Sequence, residues 1–122
     1  MSAGYFDADG CSVDLPWPPS VNRYWRTFRG RMLVSAEGRE YRQAVFRVCN
    51  GLIPITGLVE VNIVATRPDR RKRDLDNLLK ATLDACTGHL WVDDSQIWRL
   101  VIQWAPEIEK GGRLSVTAGR IG

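Results

Sequence analysis

Asp74 and Asp76 follow a basic run in the segment RRKRDLDNLLK, and Lys80 follows them. Neighbouring carboxylates suit a hard cation such as Mg²⁺, which proteins hold with one or two carboxylates, water and phosphate oxygens. A lysine one helical turn after Asp76 would stabilise charge on a phosphodiester bound there. The segment therefore predicts metal-dependent hydrolysis of nucleic acid, in which the basic run attracts the polyanion and the carboxylates hold the metal.

A third oxygen ligand is available in the segment WVDDSQ, which contains Asp93 and Asp94. This segment follows the predicted helix that begins after Asp74, and we expect the fold to bring it close to Asp74 and Asp76. The spacing alone does not decide between Asp93 and Asp94.

Each of these residues also has a structural interpretation. Asp74 stands where a helix N-cap is expected, and carboxylates at a helix start favour the helix dipole. Lys80 is spaced to form a surface ion pair with Asp76, and DDS is a common turn composition. The alternative function is therefore a non-catalytic branched-DNA-binding protein whose acidic cluster only caps a helix. Hydrolysis of nucleotides or small phosphate esters is a third hypothesis.

Other chemistries are disfavoured by the residues that the chain lacks. His89 is the only histidine, so no site that needs two histidines can form within one chain. The sequence contains no Walker A motif. Its three cysteines lack CxxC spacing, which favours reduced thiols in or near the core over a zinc site or a disulfide framework.

Positive charge is concentrated in two segments of a chain with net charge +3 and a pI near 9.0. RPDRRKR is almost entirely basic, and NRYWRTFRGR combines arginines with aromatic residues, among which Trp25 or Phe28 would stack on unpaired bases. Arginine is well suited to phosphate oxygens. The expected DNA contacts are Arg23, Arg70, Arg71, Lys72, Arg73, Lys110 and Arg113.

The length of 122 residues and the hydrophobic content of 44% predict a single folded domain. Residues 1–10 lack periodicity and are expected to form a flexible N-terminal extension, with one domain over residues 11–122. No apolar stretch is long enough to cross a bilayer. We therefore expect a cytoplasmic protein with no membrane partner and no small-molecule cofactor.

Hydrophobic periodicity predicts the elements that must position the candidate residues. Strands are expected in CSVDL, RMLVS, GLVEVNIVATRPD, IWRLVIQW and RLSVTA, and helices over about Glu37–Asn50 and residues 75–86. The second helix has one apolar face, with Asp76 and Lys80 on the polar face. This order predicts an α+β fold, a two-layer sandwich of a small mixed β-sheet with two helices packed on one face.

Five segments in order give the sequence a specific resemblance to a known family. They are LPWPPSVNRYWR, VSAEGREYR, RPDRRKRDLDNLLKATLDA, LWVDDSQI and KGGRL. Over about Leu15 to Ala118 the chain resembles the RusA Holliday junction resolvases, small phage and prophage endonucleases. Residues 1–10 and the segment ACTGHLW depart from the family pattern.

The resemblance implies a RusA-like homodimer that recognises four-way DNA junctions and cuts them with paired symmetric nicks in DNA recombination and repair. Its metal would be Mg²⁺, with Mn²⁺ as an alternative. The family's catalytic aspartates fall on Asp74, Asp76 and Asp94, which would coordinate the metal, and its essential lysine falls on Lys80. The choice of Asp94 over Asp93 comes from this resemblance.

Overall fold

A five-stranded mixed sheet lies at the centre of the computed structural model, which describes residues 3–6 and 10–121. In order across the sheet, the strands are β1 (Ala3–Phe6), β2 (Gly10–Leu15), β7 (Arg113–Arg120), β5 (Val59–Arg67) and β6 (Ile97–Ile108). All neighbouring strands are antiparallel except β5 and β6, which are parallel. A helical crossover joins β5 to β6, as a parallel connection requires.

A separate two-stranded hairpin is formed by β3 (Trp25–Phe28) and β4 (Arg31–Val34). Its two-residue loop, Arg29 and Gly30, has φ values of 52° and 74°. Positive φ at both positions is typical of the type I′ turn, whose twist matches that of the flanking strands. The strand predicted in RMLVS is therefore confirmed, but its partner is the segment WRTF and not the central sheet.

Three helices accompany the sheet: α1 (Val21–Tyr24), α2 (Ala36–Cys49) and α3 (Leu79–Cys86). A 3₁₀ helix, Leu75–Leu78, leads directly into α3, and a second 3₁₀ helix, Asp94–Gln96, leads into β6. The Ser35 hydroxyl caps α2 by accepting a hydrogen bond from the Gly38 amide at 3.0 Å. Both helices predicted from periodicity are confirmed, the second with a 3₁₀ first turn.

The core lies where alternate residues of the strands meet the apolar faces of α2 and α3. Every second residue of β5 from Val59 to Ala65 is buried, and α2 and α3 contribute Val45 and Cys86 to the same cluster. Cys49 and Cys86 are free, buried thiols, and burial raises the pKa of Cys49 to about 12. The α+β class and the mixed sheet are confirmed.

The N-terminal segment contains a strand that the sequence did not predict. Ala3–Phe6 pairs antiparallel with β2 at the edge of the sheet. The flexibility predicted for residues 1–10 stays a prediction, and residues 1–2 and 7–9 lie outside the described residues. No helix in the described part of the chain is long and apolar enough to cross a membrane.

Candidate active site

Asp74 lies at the junction between the basic loop that follows β5 and the 3₁₀ helix Leu75–Leu78. Its backbone is extended, as at an N-cap, but its side chain makes no capping hydrogen bond. Asp76 lies within the first turn and also makes no side-chain hydrogen bond or ion pair with another described residue. The carboxylates of Asp74 and Asp76 are thus both available to an external ligand.

Lys80 lies in the first turn of α3 and faces a cleft of about 490 Å³. The opposite wall consists of residues around the β3–β4 hairpin, including Asn22, Trp25 and Met32. Lys80 forms no ion pair with Asp76 in the described chain. The solvated ion pair considered from the sequence is therefore absent, and the ammonium group is available at the cleft.

Asp93 and Asp94 have different structural roles. The Asp93 side chain accepts a hydrogen bond from the Ser95 amide at 3.0 Å, and the Asp93 amide donates to Gln96 Oε1 at 2.7 Å. These two bonds form a capping box. The hydrogen bonds that Asp93 accepts from Ser95 lower the pKa of its carboxyl group. The side chain of Asp94 has no described partner. Structure therefore distinguishes two aspartates that spacing could not.

Gln96 holds the segment that carries Asp94, and the sequence analysis missed this role. Its side-chain nitrogen donates to the carbonyl oxygens of Ile55 and Gly57, both at 2.8 Å, while its oxygen completes the capping box. The signal was present in the sequence, because Asp followed three residues later by Gln is typical of a capping box. Gln96 thus ties the start of β6 to the loop before β5.

Asp94 is not brought to Asp74 and Asp76 within one chain. It lines a cleft of about 470 Å³ with Asp84 and Thr87, at the C-terminal end of α3, whereas Asp74 precedes the N-terminal end of that helical segment. No group of three His, Cys, Asp or Glu residues suited to a metal occurs in the described ranges 3–6 and 10–121. The expected closure in space does not occur in the single chain.

Asn77 connects the acidic segment to the loop that contains the segment PWPPS. Its side-chain oxygen accepts a hydrogen bond from the Val21 amide at 3.1 Å, at the first residue of α1. Asp74 lies beside this contact in a cleft of about 290 Å³, together with Trp17 and Ser20. Asn77 therefore fixes the segment between Asp74 and Lys80 against α1.

Comparison with known proteins identifies the chain. The family model for the endodeoxyribonuclease RusA matches residues 16–118. The crossover junction endodeoxyribonuclease of Enterobacteria phage 82 is 46% identical over 114 residues, which cover 90% of this chain and 94% of that protein. The protein of the same name from Escherichia coli K12 is 47% identical over 115 residues, 91% of this chain and 95% of the relative.

The chain belongs to the RusA family. The match spans Asp74, Asp76, Lys80 and Asp94 and most of the elements that position them. It confirms the resemblance inferred from the five sequence segments.

A polar cluster around the buried Tyr24 joins the three helices of this RusA family member. The Tyr24 hydroxyl donates a hydrogen bond to Asp84 Oδ2, and Arg42 Nε donates to the same oxygen at 2.8 Å and to the Tyr24 hydroxyl at 3.1 Å. Burial, followed by the bond to Asp84, raises the pKa of Tyr24. Burial alone would lower the pKa of Arg42, but its hydrogen bonds raise it. The cluster fixes α3, which carries Lys80.

The predicted DNA-contact residues fall into two groups. Arg70, Lys72 and Lys110 are exposed and have no described ion partner. The others form internal ion pairs: Arg23 with Glu37, Arg71 and Arg73 with Asp69, and Arg113 with Asp14 and Glu109. All seven stay predicted contacts, and the first group carries the free charges.

An aromatic and arginine stack supports the basic loop. The rings of Trp17 and Trp104 lie 6.4 Å apart with 14° between their planes. The Arg73 guanidinium lies 5.6 Å from the Trp17 ring centroid, and that of Arg67 lies 5.7 Å from the Trp104 ring. Arg73 is thus packed immediately before Asp74.

The two aromatic candidates for base stacking differ in accessibility. Trp25 is partly buried and lies edge-on to Tyr24, with 4.9 Å between the ring centroids. Phe28 is 48% exposed at the end of the β3–β4 hairpin, with the guanidinium groups of Arg26 and Arg29 within 5.5 Å and 5.3 Å of its ring. Phe28 is the accessible ring, and Arg26 and Arg29 are basic neighbours that the sequence analysis did not select.

Proposed function

We propose that this chain is a divalent-metal-dependent endodeoxyribonuclease that resolves four-way DNA junctions by paired nicks in recombination and repair. The observation that carries the proposal is the state of Asp74, Asp76 and Asp94, whose carboxylates have no partner among the described residues. The carboxylate of Asp93, the residue before Asp94, instead caps the 3₁₀ helix Asp94–Gln96. Free carboxylates at these positions in a RusA family member favour catalysis over helix capping.

The donor set fits Mg²⁺ in chemistry but not in the geometry of a single chain. Carboxylate oxygens are the ligands that Mg²⁺ prefers, and Mn²⁺ accepts them too. Asp74 and Asp76 would supply two, and Asp94 the third, although one chain does not group the three. When bound, the metal would activate the attacking water and neutralise charge on the phosphate.

The other polar residues have separate roles in this proposal. Lys80, free at its cleft, would stabilise the negative charge that develops on the phosphate. The free charges of Arg70, Lys72 and Lys110 would bind the DNA backbone and give the affinity its salt dependence. The exposed ring of Phe28 would stack on a base at the branch point.

We also propose that the protein acts as a homodimer. Two opposing strands of a four-way junction are equivalent, and a two-fold dimer presents two equal sites to them. Each protomer would be a two-layer sandwich, one nuclease domain over residues 11–122, with α2 and α3 on one face of the sheet. We place the protein in the cytoplasm, where its DNA substrate would lie.

The test is cleavage of a synthetic four-way junction, with each strand labelled in turn, against a linear duplex of the same sequence. We expect paired nicks in the junction with Mg²⁺ and none with EDTA. Asp74→Asn should bind the junction without cutting it, because the amide loses the charge that holds the metal. Glu40→Gln, which changes an exposed carboxylate on α2 outside the candidate site, is the matched control and should retain cutting.

The opposite result would support the alternative function. A wild-type protein that binds junctions tightly but cuts none with any divalent metal is a branched-DNA-binding module. Turnover of nucleotides in the absence of DNA would instead support a small phosphate esterase.

A further inference from the structure

The cleft that Lys80 faces has the lining of a site for a small, flat ring. Its volume of about 490 Å³ lies within the range of about 300–1,000 Å³ that is typical of small-molecule sites. Trp25 and Met32 give it apolar walls, and Asn22, Thr27 and Lys80 add polar groups. Such a mixture binds a ring through its faces and fixes its orientation through its edge.

The register of the β3–β4 hairpin directs its cleft-lining residues to one side. Thr27 lies opposite Met32, and Trp25 precedes Thr27 by two residues on the same face of β3. Phe28 is the next residue of β3 and points to the opposite face. The base that would stack on Phe28 therefore lies on a different surface, which leaves the cleft without a role beyond that of Lys80.

The side-chain amide of Asn22 is available to a ligand. Asn22 is exposed on α1, and its side chain forms no hydrogen bond with another described residue. An amide group contains both a donor and an acceptor, which is what the edge of a nucleobase requires. Asn22 is thus a free polar group at the wall of the cleft.

A short connection fixes the cleft relative to the candidate metal ligands. Asn77 follows Asp76 directly, and its hydrogen bond with the Val21 amide, 3.1 Å long, holds α1 against the acidic segment. Lys80 lies about one helical turn after Asp76. Consecutive phosphates of one strand lie about 3.4 Å apart along a duplex axis, so a phosphate at Asp76 has its neighbouring nucleotide within reach of the cleft.

The charge around the cleft suits a ring that is attached to a phosphate. Lys80 and Arg26 both line it, and both are exposed without an ion pair among the described residues. No acidic side chain lines this cleft in the described part of the chain. A nucleotide is therefore favoured over a neutral or cationic ligand.

We propose that this cleft binds one unpaired DNA base from the nucleotide next to the scissile phosphate, and that this base lets the enzyme distinguish a junction from a duplex. Trp25 and Met32 contact the ring of the base, and Asn22 hydrogen-bonds its edge. Lys80 contacts the adjoining phosphate. The inference rests on the proposed function, because it concerns the nucleotide beside the bond that the candidate active site would cut.

The discrimination depends on the state of the base before it binds. In an intact duplex the base must leave its stack and its paired base before it can enter the cleft, which costs free energy. At a branch point the stacking is already interrupted, so the same movement costs less. A linear duplex therefore leaves the cleft empty, and its phosphate is held less firmly for cutting.

A bulged duplex tests the cleft without relying on catalysis. A duplex with one unpaired nucleotide is compared, in EDTA and by fluorescence anisotropy, with the same duplex whose bulged nucleotide is abasic. Both bulges interrupt the duplex, but only the first contains an unpaired base. We expect wild type to bind the first about tenfold more tightly, a gain in the range measured for stacking one base on an aromatic side chain.

Variants of the cleft identify the residues responsible for this affinity ratio. Asn22→Ala should lower it about threefold, because one hydrogen bond to the base is lost. Trp25→Leu should bring it close to one. Asn50→Ala changes an exposed asparagine at the end of α2, outside the cleft, and is the matched control that should leave the ratio unchanged. Should Trp25→Leu not fold, Met32→Ala, whose side chain is 68% exposed, removes another contact with the base.

The outcomes separate this inference from the proposed function. A base-dependent ratio that falls in the cleft variants supports the inference. A wild-type ratio near one overturns it, as does a high ratio that the cleft variants retain, which would place the base at Phe28 or elsewhere. Junction cutting with a ratio near one would overturn the base site and leave the proposed function standing. A cleft-dependent ratio in a protein that cuts no junction would refute the proposed function and leave the base site standing.

Discussion

The Arg73 guanidinium donates two hydrogen bonds, 2.6 Å and 3.2 Å long, to the Asp69 carboxylate. Arg73 is the residue immediately before the candidate metal ligand Asp74. The same guanidinium packs against the ring of Trp17. The basic loop is thus anchored at its last residue, while Arg70 and Lys72 extend freely. This arrangement fixes the residue next to Asp74 and leaves the charges of Arg70 and Lys72 exposed to solvent.

The Asp69–Arg73 pair predicts a specific pH dependence of stability. The hydrogen bonds from Arg73 and from the Arg71 amide lower the pKa of Asp69 from 3.8 to about 2. A depressed carboxyl pKa contributes stability above the unfolded-state pKa, and that contribution is lost as the pH falls through the folded-state pKa. Wild type should therefore have a higher Tm than Asp69→Asn above pH 4, and the difference should vanish as the pH falls toward 2. An equal Tm difference at both ends of this range would contradict the assignment.

Neighbouring aspartates should give opposite results on substitution. Asp94→Asn is expected to abolish junction cutting with little change in Tm, because its side chain supports no internal contact. Asp93→Ala removes the cap and should lower the Tm, with cutting retained below the melting transition. Thermal melts and junction cleavage on both variants measure the contrast. A cutting-deficient but stable Asp93→Ala would reverse the assignment.

The tyrosine of the polar cluster should contribute more than a neutral hydrogen bond would. Tyr24→Phe removes a donor to the Asp84 carboxylate, and bonds to charged groups contribute about 1.5–3 kcal/mol. Tyr41→Phe removes a bond to the Pro16 carbonyl at 2.8 Å and should cost about 1 kcal/mol. Urea unfolding of the two variants compares them at equal side-chain volume. Equal losses would show that the Asp84 bond has no special strength.

Gly112 should be intolerant of a side chain because of Trp17. It has φ +73°, and an added Cβ would lie 2.8 Å from Trp17 Cε3. Gly111 has φ +87° with nothing within 4 Å, so Gly111→Ala reports the backbone strain alone. We expect Gly112→Ala to lower the unfolding free energy more than Gly111→Ala. It should also slow junction cutting, because it would displace the Trp17 ring from Arg73, the residue before Asp74. Similar effects of the two variants would exclude the contact with Trp17 as the cause.

Substituting a basic side chain that has no ion partner among the described residues should change the salt dependence of DNA binding. Lys72→Ala is expected to reduce the slope of log K against log salt by about 0.9, the value for one phosphate contact on a duplex. Arg113→Ala disrupts ion pairs with Asp14 and Glu109 and should change thermal stability more than the slope. Fluorescence anisotropy over a salt series, with thermal melts, checks both. An unchanged slope for Lys72→Ala would remove it from the interface.

Hydrophobic periodicity predicted the main elements. In β5, α2 and α3 one face is buried, and the apolar residues of that face repeat with the period of the strand or helix. Periodicity predicted β4 but missed its partner β3, because the loop between them is Arg29–Gly30 and not the Asn–Gly that usually signals such a turn. It also ended the last-but-one strand early, because Pro106 resembles a breaker. In the structure Pro106 belongs to β6, and an edge strand tolerates proline.

The candidate site residues stay predictions, and the place of Asp94 in one chain differs from the one expected from the sequence. Residue types and family motifs indicated Asp74, Asp76, Asp94 and Lys80, and neither signal requires knowledge of which strands pair. The position of Asp94 depends on the direction of β6 relative to β5, and a strand, helix, strand order already favours parallel pairing. Applied to the sequence, that rule would have separated Asp94 from Asp74. The partners of Tyr24 and Trp17 are distant in sequence and had no local signal.

The parallel pairing of β5 and β6 also bears on the order of folding. Val59 pairs with Ile97 only after the whole crossover between them has closed, whereas the β3–β4 hairpin needs only its two-residue turn. Because closing a long loop costs more entropy than closing a short one, we expect the hairpin to form before the central sheet.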